Sequence, residues 1–267
     1  MNIHHLYTLV FSPAGHTAKA ADVLSDAWTQ NPEKSGNSML KHTVIDLSQN
    51  DESFSLPAMG RTDLCIIAVP SFGGRVPVPA KEKLKQLQGD GTPVVLLVSY
   101  GARAFDDTFL ELRDLVTEKC MITAAAVAVV AEHSICPEIA AGRPSEQDLD
   151  ELREWGWKIR EKLDKTENLL EIAVPGKRPY REFNPLSLTP VGGTKCRKCG
   201  ICAAHCPVNA ISAETPETAD PSRCITCMRC VWICPHHARH LPEAAYRACR
   251  EKLLKVCDGK QANTLII

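Results

Sequence analysis

The sequence lacks the features that would place it in several large classes of protein. No apolar run in its 267 residues approaches the ~18 residues that a membrane-spanning helix needs. The formal net charge is -1, so there is no excess of positive charge to bind nucleic acid or anionic lipid in bulk. The opening MNIHHLYTLVFS has no basic stretch followed by an apolar core, so we expect no secretory signal and a cytoplasmic protein.

Several common catalytic motifs are also missing. No G-x-G-x-x-G follows an apolar strand-like run, which argues against a site for a pyridine nucleotide. The chain contains no nucleophile elbow, no H-E-x-x-H and no kinase signature, and no set of Asp, His and Ser can be assembled from spacing. We therefore name no catalytic residue from the sequence.

Cysteine, in contrast, is abundant: there are 13, and eight of them form two copies of one spacing. Each copy reads C-x2-C-x2-C-x3-C-P, and the second begins 28 residues after the first. Bacterial ferredoxins hold two [4Fe–4S] clusters with this run, and its fourth cysteine ligates the other cluster. The match predicts one cluster on Cys196, Cys199, Cys202 and Cys234, and a second on Cys224, Cys227, Cys230 and Cys206.

Zinc and disulfides are the alternatives for these eight residues. Structural zinc usually takes paired C-x2-C knuckles that are well separated in sequence, with no use for a third cysteine two residues further on. A disulfide framework needs an oxidising compartment, which nothing in the sequence indicates. The five other cysteines match no ligand spacing and are expected to act as small apolar residues; they are Cys65, Cys120, Cys136, Cys249 and Cys257.

The chain before the cysteine motif alternates between strand-like and helix-like patterns. Short continuous apolar runs such as 64–69 and 94–98 are typical of strands buried on both faces of a parallel sheet. A helix that begins at Ser145 has a capping box with Asp148. The patterns predict a doubly wound, five-stranded parallel α/β sheet over residues 1–168. The predicted strands are 3–11, 39–47, 64–69, 94–98 and 123–130, and the other predicted helices are 16–29, 80–87 and 105–119.

Three further segments follow this sheet. Residues 169–190 are rich in proline and are predicted to form an extended, semi-rigid linker. Residues 191–240 are predicted to form a small two-cluster ferredoxin-like α+β domain. Residues 241–267 are predicted to form a helix over 243–256, which Asp258 and Gly259 end, and an apolar tail that packs against the body.

Positive charge is in excess around the cysteine motif. Residues 191–240 contain six basic side chains against three acidic ones. As a group, the basic side chains favour the reduced, more negative form of a cluster and suit an acidic redox partner protein. The six are Lys195, Arg197, Lys198, Arg223, Arg229 and Arg239.

Loops that follow the predicted strands carry candidate binding residues, because ligands of doubly wound sheets bind at the carboxyl ends of the strands. The first loop, residues 11–17, ends at a helix N-terminus, where backbone N–H groups can receive a phosphate. Loops 69–77 and 99–107 place an aromatic residue beside glycine, which suits a flat ring. Taken singly, each loop is also explained by helix capping or turn formation. The candidates are Ser12, Gly15, His16, Thr17, Ser71, Phe72, Gly73, Gly74, Ser99, Tyr100 and Gly101.

At these residues the chain resembles a known family. The first loop is similar to the flavodoxin phosphate loop, [ST]-x-T-G-x-T. The segments SFGGRVPVPA, SYGARAFDD, AEHSI and VPGKRPYREF resemble bacterial and archaeal flavodoxin–ferredoxin fusions. The resemblance implies FMN at the strand ends, with Ser12, Gly15 and Thr17 at its phosphate. Ala14 stands where the pattern has threonine, so one hydroxyl donor is missing and weaker FMN binding is expected.

The sequence thus favours an electron-transfer protein that passes low-potential electrons between two [4Fe–4S] clusters and one FMN. Two alternatives remain open. The protein could be a flavoenzyme that reduces a small substrate at FMN with electrons from the clusters. It could also be a ferredoxin whose flavodoxin-like domain has lost FMN and serves for docking. Redox protein partners are expected in each case, and the sequence does not identify them.

Overall fold

The computed structural model describes residues 1, 3–30, 40–51, 53–184, 188–257 and 261–267. Its strands are β1 (His5–Val10), β2 (Lys41–Asp46), β3 (Ala58–Met59), β4 (Asp63–Pro70), β5 (Gln88–Gly89), β6 (Thr92–Tyr100), β7 (Met121–Val130), β8 (Val191–Gly192), β9 (Arg239–His240) and β10 (Thr264–Ile266). Its helices are α1 (His16–Thr29), α2 (Val78–Leu84), α3 (Thr108–Thr117), α4 (Glu146–Lys165), α5 (Ile201–Ala204), α6 (Arg229–Trp232) and α7 (Glu243–Val256). None of the described helices combines the length and the apolar character that crossing a membrane requires.

The main sheet has the strand order β10-β7-β6-β4-β1-β2. Strands β2, β1, β4, β6 and β7 are parallel, and their order along the chain is the 2-1-3-4-5 order of the flavodoxin-like doubly wound fold. All residues of β6 are buried, as a central strand with helices on both faces requires. Leu24 of α1 and Ile159 of α4 pack on one face of the sheet, and Phe109 of α3 packs on the other. The predicted fold class is confirmed.

Local sequence signals agree closely with several element boundaries. Helix α1 covers the predicted residues 16–29, and Ser145 and Asp148 form the capping box of α4. Helix α2 begins two residues earlier than predicted, at Val78 after Pro77, and ends at Leu84. Helix α3 is shorter than the predicted 105–119, because residues up to Asp107 belong to the preceding loop. Met39, the predicted start of the second strand, lies outside the described residues.

The sheet has a sixth strand that the sequence patterns did not predict. The apolar tail forms β10, which pairs antiparallel with β7, with Leu265 opposite Val127. Just before it, Asn263 accepts a hydrogen bond from the backbone N–H of Val130 at 2.9 Å. The tail therefore continues the sheet at its β7 edge rather than only packing against it. The predicted helix end at Asp258 and Gly259 lies outside the described residues.

The two copies of the cysteine motif have the same backbone path. Each short helix, α5 and α6, follows a residue with positive φ, namely Gly200 at 75° and Met228 at 62°. Lys198 and Thr226 form a second such pair, at 54° and 52°. The members of each pair are separated by the same 28 residues as the two cysteine motifs. Strands β8 and β9 join the ends of this repeat in an antiparallel pair.

The predicted linker lies against α3 instead of spanning free space. Asp107 accepts hydrogen bonds from the backbone N–H groups of Lys177, at 2.8 Å, and Arg181, at 2.6 Å. Seven residues further along, or about two helical turns, Asp114 binds the guanidinium of Arg178 at 2.5 Å. A row of carboxylates on one face of α3 therefore fixes the start of the linker to the sheet.

Candidate functional site

The loops after β1, β4 and β6 meet at one cavity of about 300 Å³, called here the strand-end cavity. They meet because these three strands are neighbours in the sheet, so their carboxyl ends lie side by side. Nine of the eleven candidate binding residues line the cavity. They are His16, Thr17, Ser71, Phe72, Gly73, Gly74, Ser99, Tyr100 and Gly101. Ala14, at the position of the missing hydroxyl, lines it as well.

Ser12 and Gly15 are the two candidates that do not line the cavity. The hydroxyl oxygen of Ser12 accepts a hydrogen bond from the backbone N–H of Ala18 at 2.9 Å. Gly15 immediately precedes α1 with a φ of 90°, a conformation that favours glycine. In this arrangement both residues shape the loop and the start of the helix. The N–H groups of the first turn of α1 have no partners within the helix, as at any helix N-terminus.

Thr17 and Ser99 join two of the loops through their hydroxyl groups. Their oxygens are 2.7 Å apart, and both side chains are buried. Either hydroxyl can be the donor, so one hydroxyl hydrogen of the pair remains available to a ligand. The candidate phosphate loop and the candidate ring-side loop thus share one polar contact at the cavity wall.

His16 has an unmet hydrogen-bonding atom at this wall. Its Nε2 is buried and has no hydrogen-bond partner within the described structure. The ring contacts Trp232 of α6 edge-on, with 5.3 Å between the ring centroids. Burial lowers the pKa of His16, while the charge of Glu132 opposes that effect. A neutral imidazole at the start of α1 is therefore available to a ligand in the cavity.

Two glycines in the ring-side loops allow close approach of neighbouring segments. At Gly74, with a φ of 85°, a Cβ atom would collide with the side chain of Asp106. At Gly101 a Cβ atom would collide with the ring of His133. Tyr100 is buried, and its hydroxyl donates a hydrogen bond to the carbonyl oxygen of Ala262 at 3.0 Å. The Tyr100 hydroxyl is thus used inside the fold, and the residue offers only its ring to the cavity.

The rest of the cavity wall comes from segments that sequence reasoning did not connect with it. These segments are the linker and, from the C-terminal part of the chain that holds the cysteine motifs and α7, the second cysteine motif and α7 itself. No local pattern in them indicates that they would come together. Glu132, His133 and Ser134 belong to the AEHSI segment, which was noted only through the family resemblance. The other residues are Phe183, Asn184, Ile225, Thr226, Cys227, Leu253 and Cys257.

The eight motif cysteines line two further cavities in sets of four. One is lined by Cys196, Cys199, Cys202 and Cys234, called here the first cysteine group. The other is lined by Cys206, Cys224, Cys227 and Cys230, called here the second cysteine group. Each set takes its fourth member from the other copy of the motif, as in the predicted crossed ligation. All the cysteines are free thiols, and no three His, Cys, Asp or Glu side chains in the described ranges are grouped to hold a single metal ion.

Backbone N–H groups point at the fourth cysteine of each motif. Ala210 donates to the Sγ of Cys206 at 3.2 Å, and Ala238 donates to the Sγ of Cys234 at 3.3 Å. Burial raises the pKa of the Cys234 thiol, but hydrogen bonds from several backbone N–H groups outweigh it and the pKa is lowered. Such donors stabilise sulfur that carries negative charge, as in thiolate ligands of iron.

Arg239 is a basic residue whose position the sequence did not reveal. It is only 3% exposed, and its guanidinium donates to the carbonyl oxygens of Pro216 and, at 2.6 Å, Pro190. Its Nη1 also lies 3.9 Å from the Sγ of Cys202. No carboxylate among the described residues lies within 4.0 Å of it, so the buried charge has no acidic counterpart there. Anionic iron–sulfur clusters would supply the missing negative charge, so the residues present fit clusters of this kind.

Comparisons with known proteins identify relatives of the cysteine-rich segment. Residues 195–238 match the family model of the 4Fe-4S dicluster domain. A trichloroethene reductive dehalogenase from Dehalococcoides mccartyi is 38% identical over a segment that covers 15% of this chain and 10% of the dehalogenase. The chain thus spans about a tenth of the length of that curated relative.

Solved flavodoxin structures resemble the N-terminal part at low sequence identity. An archaeal flavodoxin is 13% identical with a TM-score of 0.41, covering 60% of this chain and 98% of the flavodoxin. Flavodoxin 1 from Bacillus cereus is 14% identical with a TM-score of 0.43, covering 59% and 97%. The chain thus combines a doubly wound sheet in the flavodoxin-like strand order with a C-terminal segment that matches the 4Fe-4S dicluster domain. This match indicates a role in electron transfer.

Proposed function

We propose that this protein transfers electrons between two [4Fe–4S] clusters in its C-terminal part and an FMN in the strand-end cavity. The observation that carries the proposal is the position of Cys227. This residue lines the strand-end cavity and is also a member of the second cysteine group. A cluster ligand would therefore form part of the wall of the flavin site. Because electron transfer slows steeply with distance, such contact favours rapid exchange between the two centres.

The strand-end cavity has the parts that an FMN site needs. The free N–H groups at the start of α1 and the spare hydroxyl hydrogen of the Thr17–Ser99 pair suit a phosphate. Phe72 and Tyr100 line the cavity beside Gly73 and Gly101, which suits a flat ring. FMN supplies a centre that takes one or two electrons, whereas each cluster supplies a one-electron centre.

The two cysteine groups take different places in this scheme. The second group shares Cys227 with the strand-end cavity, whereas no member of the first group lines that cavity. Cys199 of the first group is exposed. We therefore place the cluster of the first group at the surface, where an external redox protein exchanges electrons, and the cluster of the second group beside the flavin.

Metal and flavin contents test the cofactors. Protein purified without oxygen should contain about eight irons and about eight acid-labile sulfides per chain. Cys206→Ser should damage the cluster of Cys224, Cys227 and Cys230, and the matched change Cys234→Ser should damage the other. About two zinc ions without labile sulfide would overturn the cluster assignment. No measurable FMN binding at high micromolar concentration would favour the docking role for the sheet. The C-terminal part alone would then carry out electron transfer.

A rapid-mixing experiment tests whether electrons reach the flavin through the cluster of the second cysteine group. Reduced viologen is mixed with the FMN-loaded protein, and cluster and flavin absorbance are followed together. Cys224→Ser, which does not touch the strand-end cavity, should remove the cluster beside the flavin and slow flavin reduction strongly with FMN binding unchanged. Flavin reduction at the wild-type rate in this variant would show that electrons reach the flavin without that cluster, against the proposal.

A second candidate function follows from how the cavity is covered. Phe183 and Asn184 of the linker and Leu253 of α7 line it, so two segments outside the sheet cover the flavin site. Such a site admits a small molecule more readily than the surface of a protein. Under this function the protein reduces a small substrate at FMN. Substrate-dependent oxidation of the reduced protein, in a panel of quinones and metabolites, would favour it over a pure carrier.

A further inference from the structure

Arg239 breaks the internal repeat of the C-terminal part at a buried position. The residue 28 positions earlier, which occupies the same place in the first copy of the motif, is Ile211. Ile211 is 7% exposed and packs in an apolar cluster with Cys202 and Cys206. The second copy thus carries a cation where the first copy carries an ordinary apolar core residue. A repeat that needed only to fold would be served by an apolar residue at both places.

The guanidinium of Arg239 lies beside the first cysteine group. Arg239 lines the cavity of that group, and its Nη1 is 3.9 Å from the Sγ of Cys202. A buried cation therefore lies next to a sulfur of the first group.

The charge of Arg239 has little else to interact with. Its other hydrogen bonds go to two uncharged carbonyl oxygens, those of Pro190 and Pro216. Its Nε is buried and has no partner within the described structure. Burying an uncompensated charge is costly, so the position calls for negative charge close by. The sulfur of Cys202 is the neighbouring group that can carry it.

We propose that Arg239 is an internal cation for the cluster of the first cysteine group, which raises the reduction potential of that cluster. The inference rests on the proposed function, because it assumes a cluster in that group. The cluster gains one electron from an external one-electron donor, and its net charge becomes more negative by one. A fixed guanidinium beside a ligand of the cluster stabilises that reduced state more than the oxidised state. Arg239 is thus a positioning residue for charge and exchanges no electron itself.

Potentiometric titration of the complete protein, with both clusters followed by electron paramagnetic resonance, tests the proposal. In Arg239→Gln the reduction step of the cluster in the first group should move to more negative potential. At a fixed potential the ratio of reduced to oxidised cluster should fall about tenfold, or ~59 mV for a one-electron step. Arg239→Lys keeps the charge and should remain near the wild-type potentials. Arg223→Gln removes one exposed cation beside Cys224 and should cause a clearly smaller shift.

Iron and sulfide contents distinguish a failure of the proposed function from a failure of this inference. If the wild-type protein holds no clusters, the proposed function fails. If clusters are present and Arg239→Gln leaves the potential of the first group's cluster unchanged, or shifts it no more than Arg223→Gln does, this inference alone fails. Should Arg239→Gln not assemble clusters, Arg239→Ile, which copies the first repeat, takes its place. If neither neutral variant assembles clusters, assembly in Arg239→Lys supports a need for the charge, and its failure there overturns the proposal.

Discussion

Ala14 is the residue at which the proposed flavin site departs from the flavodoxin phosphate loop. It lines the cavity at the position where the flavodoxin loop has threonine. Ala14→Thr should tighten FMN binding by up to about 1.5–3 kcal/mol if the new hydroxyl donates to the phosphate, because hydrogen bonds to charged groups have this strength. Equilibrium titration of the flavin-depleted protein measures the change.

The matched control is Ala14→Val, which has nearly the shape of threonine without the hydroxyl. It should leave FMN affinity unchanged or lower it. Equal tightening by threonine and valine would attribute the gain to packing, and the phosphate would then not be adjacent to residue 14.

His133 makes stability depend on pH near neutrality. Its Nδ1 accepts hydrogen bonds from the backbone N–H groups of Ile135 and Cys136, each at 3.3 Å, so Nε2 carries the proton of the neutral ring. Burial lowers the pKa of His133 in the folded protein. The unfolded chain, with a histidine pKa of about 6.5, therefore takes up a proton first as the pH falls. Stability should be complete at pH 7.5 and decline as the pH drops through about 6.5 towards the folded-state pKa.

His133→Asn keeps an acceptor near the position of Nδ1 and cannot be protonated. Urea unfolding followed by tryptophan fluorescence at pH 7.5 and 5.5 should show a smaller pH-dependent loss in this variant than in the wild type. His4→Asn, which removes an exposed imidazole, is the matched control. If the variant lost as much stability between pH 7.5 and 5.5 as the wild type does, His133 would not be the source of the pH dependence.

Helix α3 is the element that fixes the linker, and hydrogen exchange can test this contact directly. Asp107 is buried, and its carboxylate accepts the backbone N–H groups of Lys177 and Arg181. These hydrogen bonds to the carboxylate lower the pKa of Asp107. Asp107→Ala should therefore speed exchange of these two amides about ten- to a hundredfold, the range that the loss of a charged hydrogen bond implies.

Glu118→Gln, at the exposed end of the same helix, is the control for this experiment. It should leave both amides at wild-type protection. If Asp107→Ala also left them protected, other contacts of the linker would be sufficient to hold it, and the carboxylate would not be its anchor.

The elements that the sequence predicted well are those with local signals. Helix α1 and the capping box of α4 follow from apolar periodicity and from short-range hydrogen bonding, which the sequence displays directly. Strand β10 has no such signal, because a three-residue antiparallel edge strand is defined by the neighbour that it pairs with. The far wall of the strand-end cavity and the burial of Arg239 depend on docking of distant segments. For the same reason, Arg239 was counted among six basic residues without being distinguished from the exposed ones.

At the scale of the whole molecule, the C-terminal part is attached to the sheet both by the segment that precedes it and by the segment that follows it. Before it, the linker is bound to α3, and after it the chain returns as β10 beside β7. Apolar contacts complete the junction, where Met228 and Tyr246 pack with Ile135. A tethered arrangement of this kind maintains Cys227 at the strand-end cavity.

Two arginines cross this junction, and their burial decides which one matters more. Arg229 donates to the hydroxyl of Ser48 and pairs with Asp46 at 3.7 Å, and its side chain is 15% exposed. Arg250 pairs with Glu138 at 2.5 Å, but both side chains are about 40% exposed. Exposed ion pairs contribute about 0–1 kcal/mol, whereas loss of a mostly buried charged hydrogen bond costs about 1.5–3 kcal/mol.

Arg229→Ala should therefore loosen the junction, and Arg250→Ala should change it little. Hydrogen exchange of residues 46–49 and of α6 in the complete protein measures the loosening, with iron content determined in parallel because Arg229 adjoins Cys230. Raising the salt concentration should weaken the Arg250 contact more, since exposed pairs are screened. If Arg250→Ala speeds exchange as much as Arg229→Ala while iron content stays at the wild-type value, the exposed pair contributes as much as the buried contact. The attachment of the C-terminal part would then depend on surface charge rather than on the buried contact at β2.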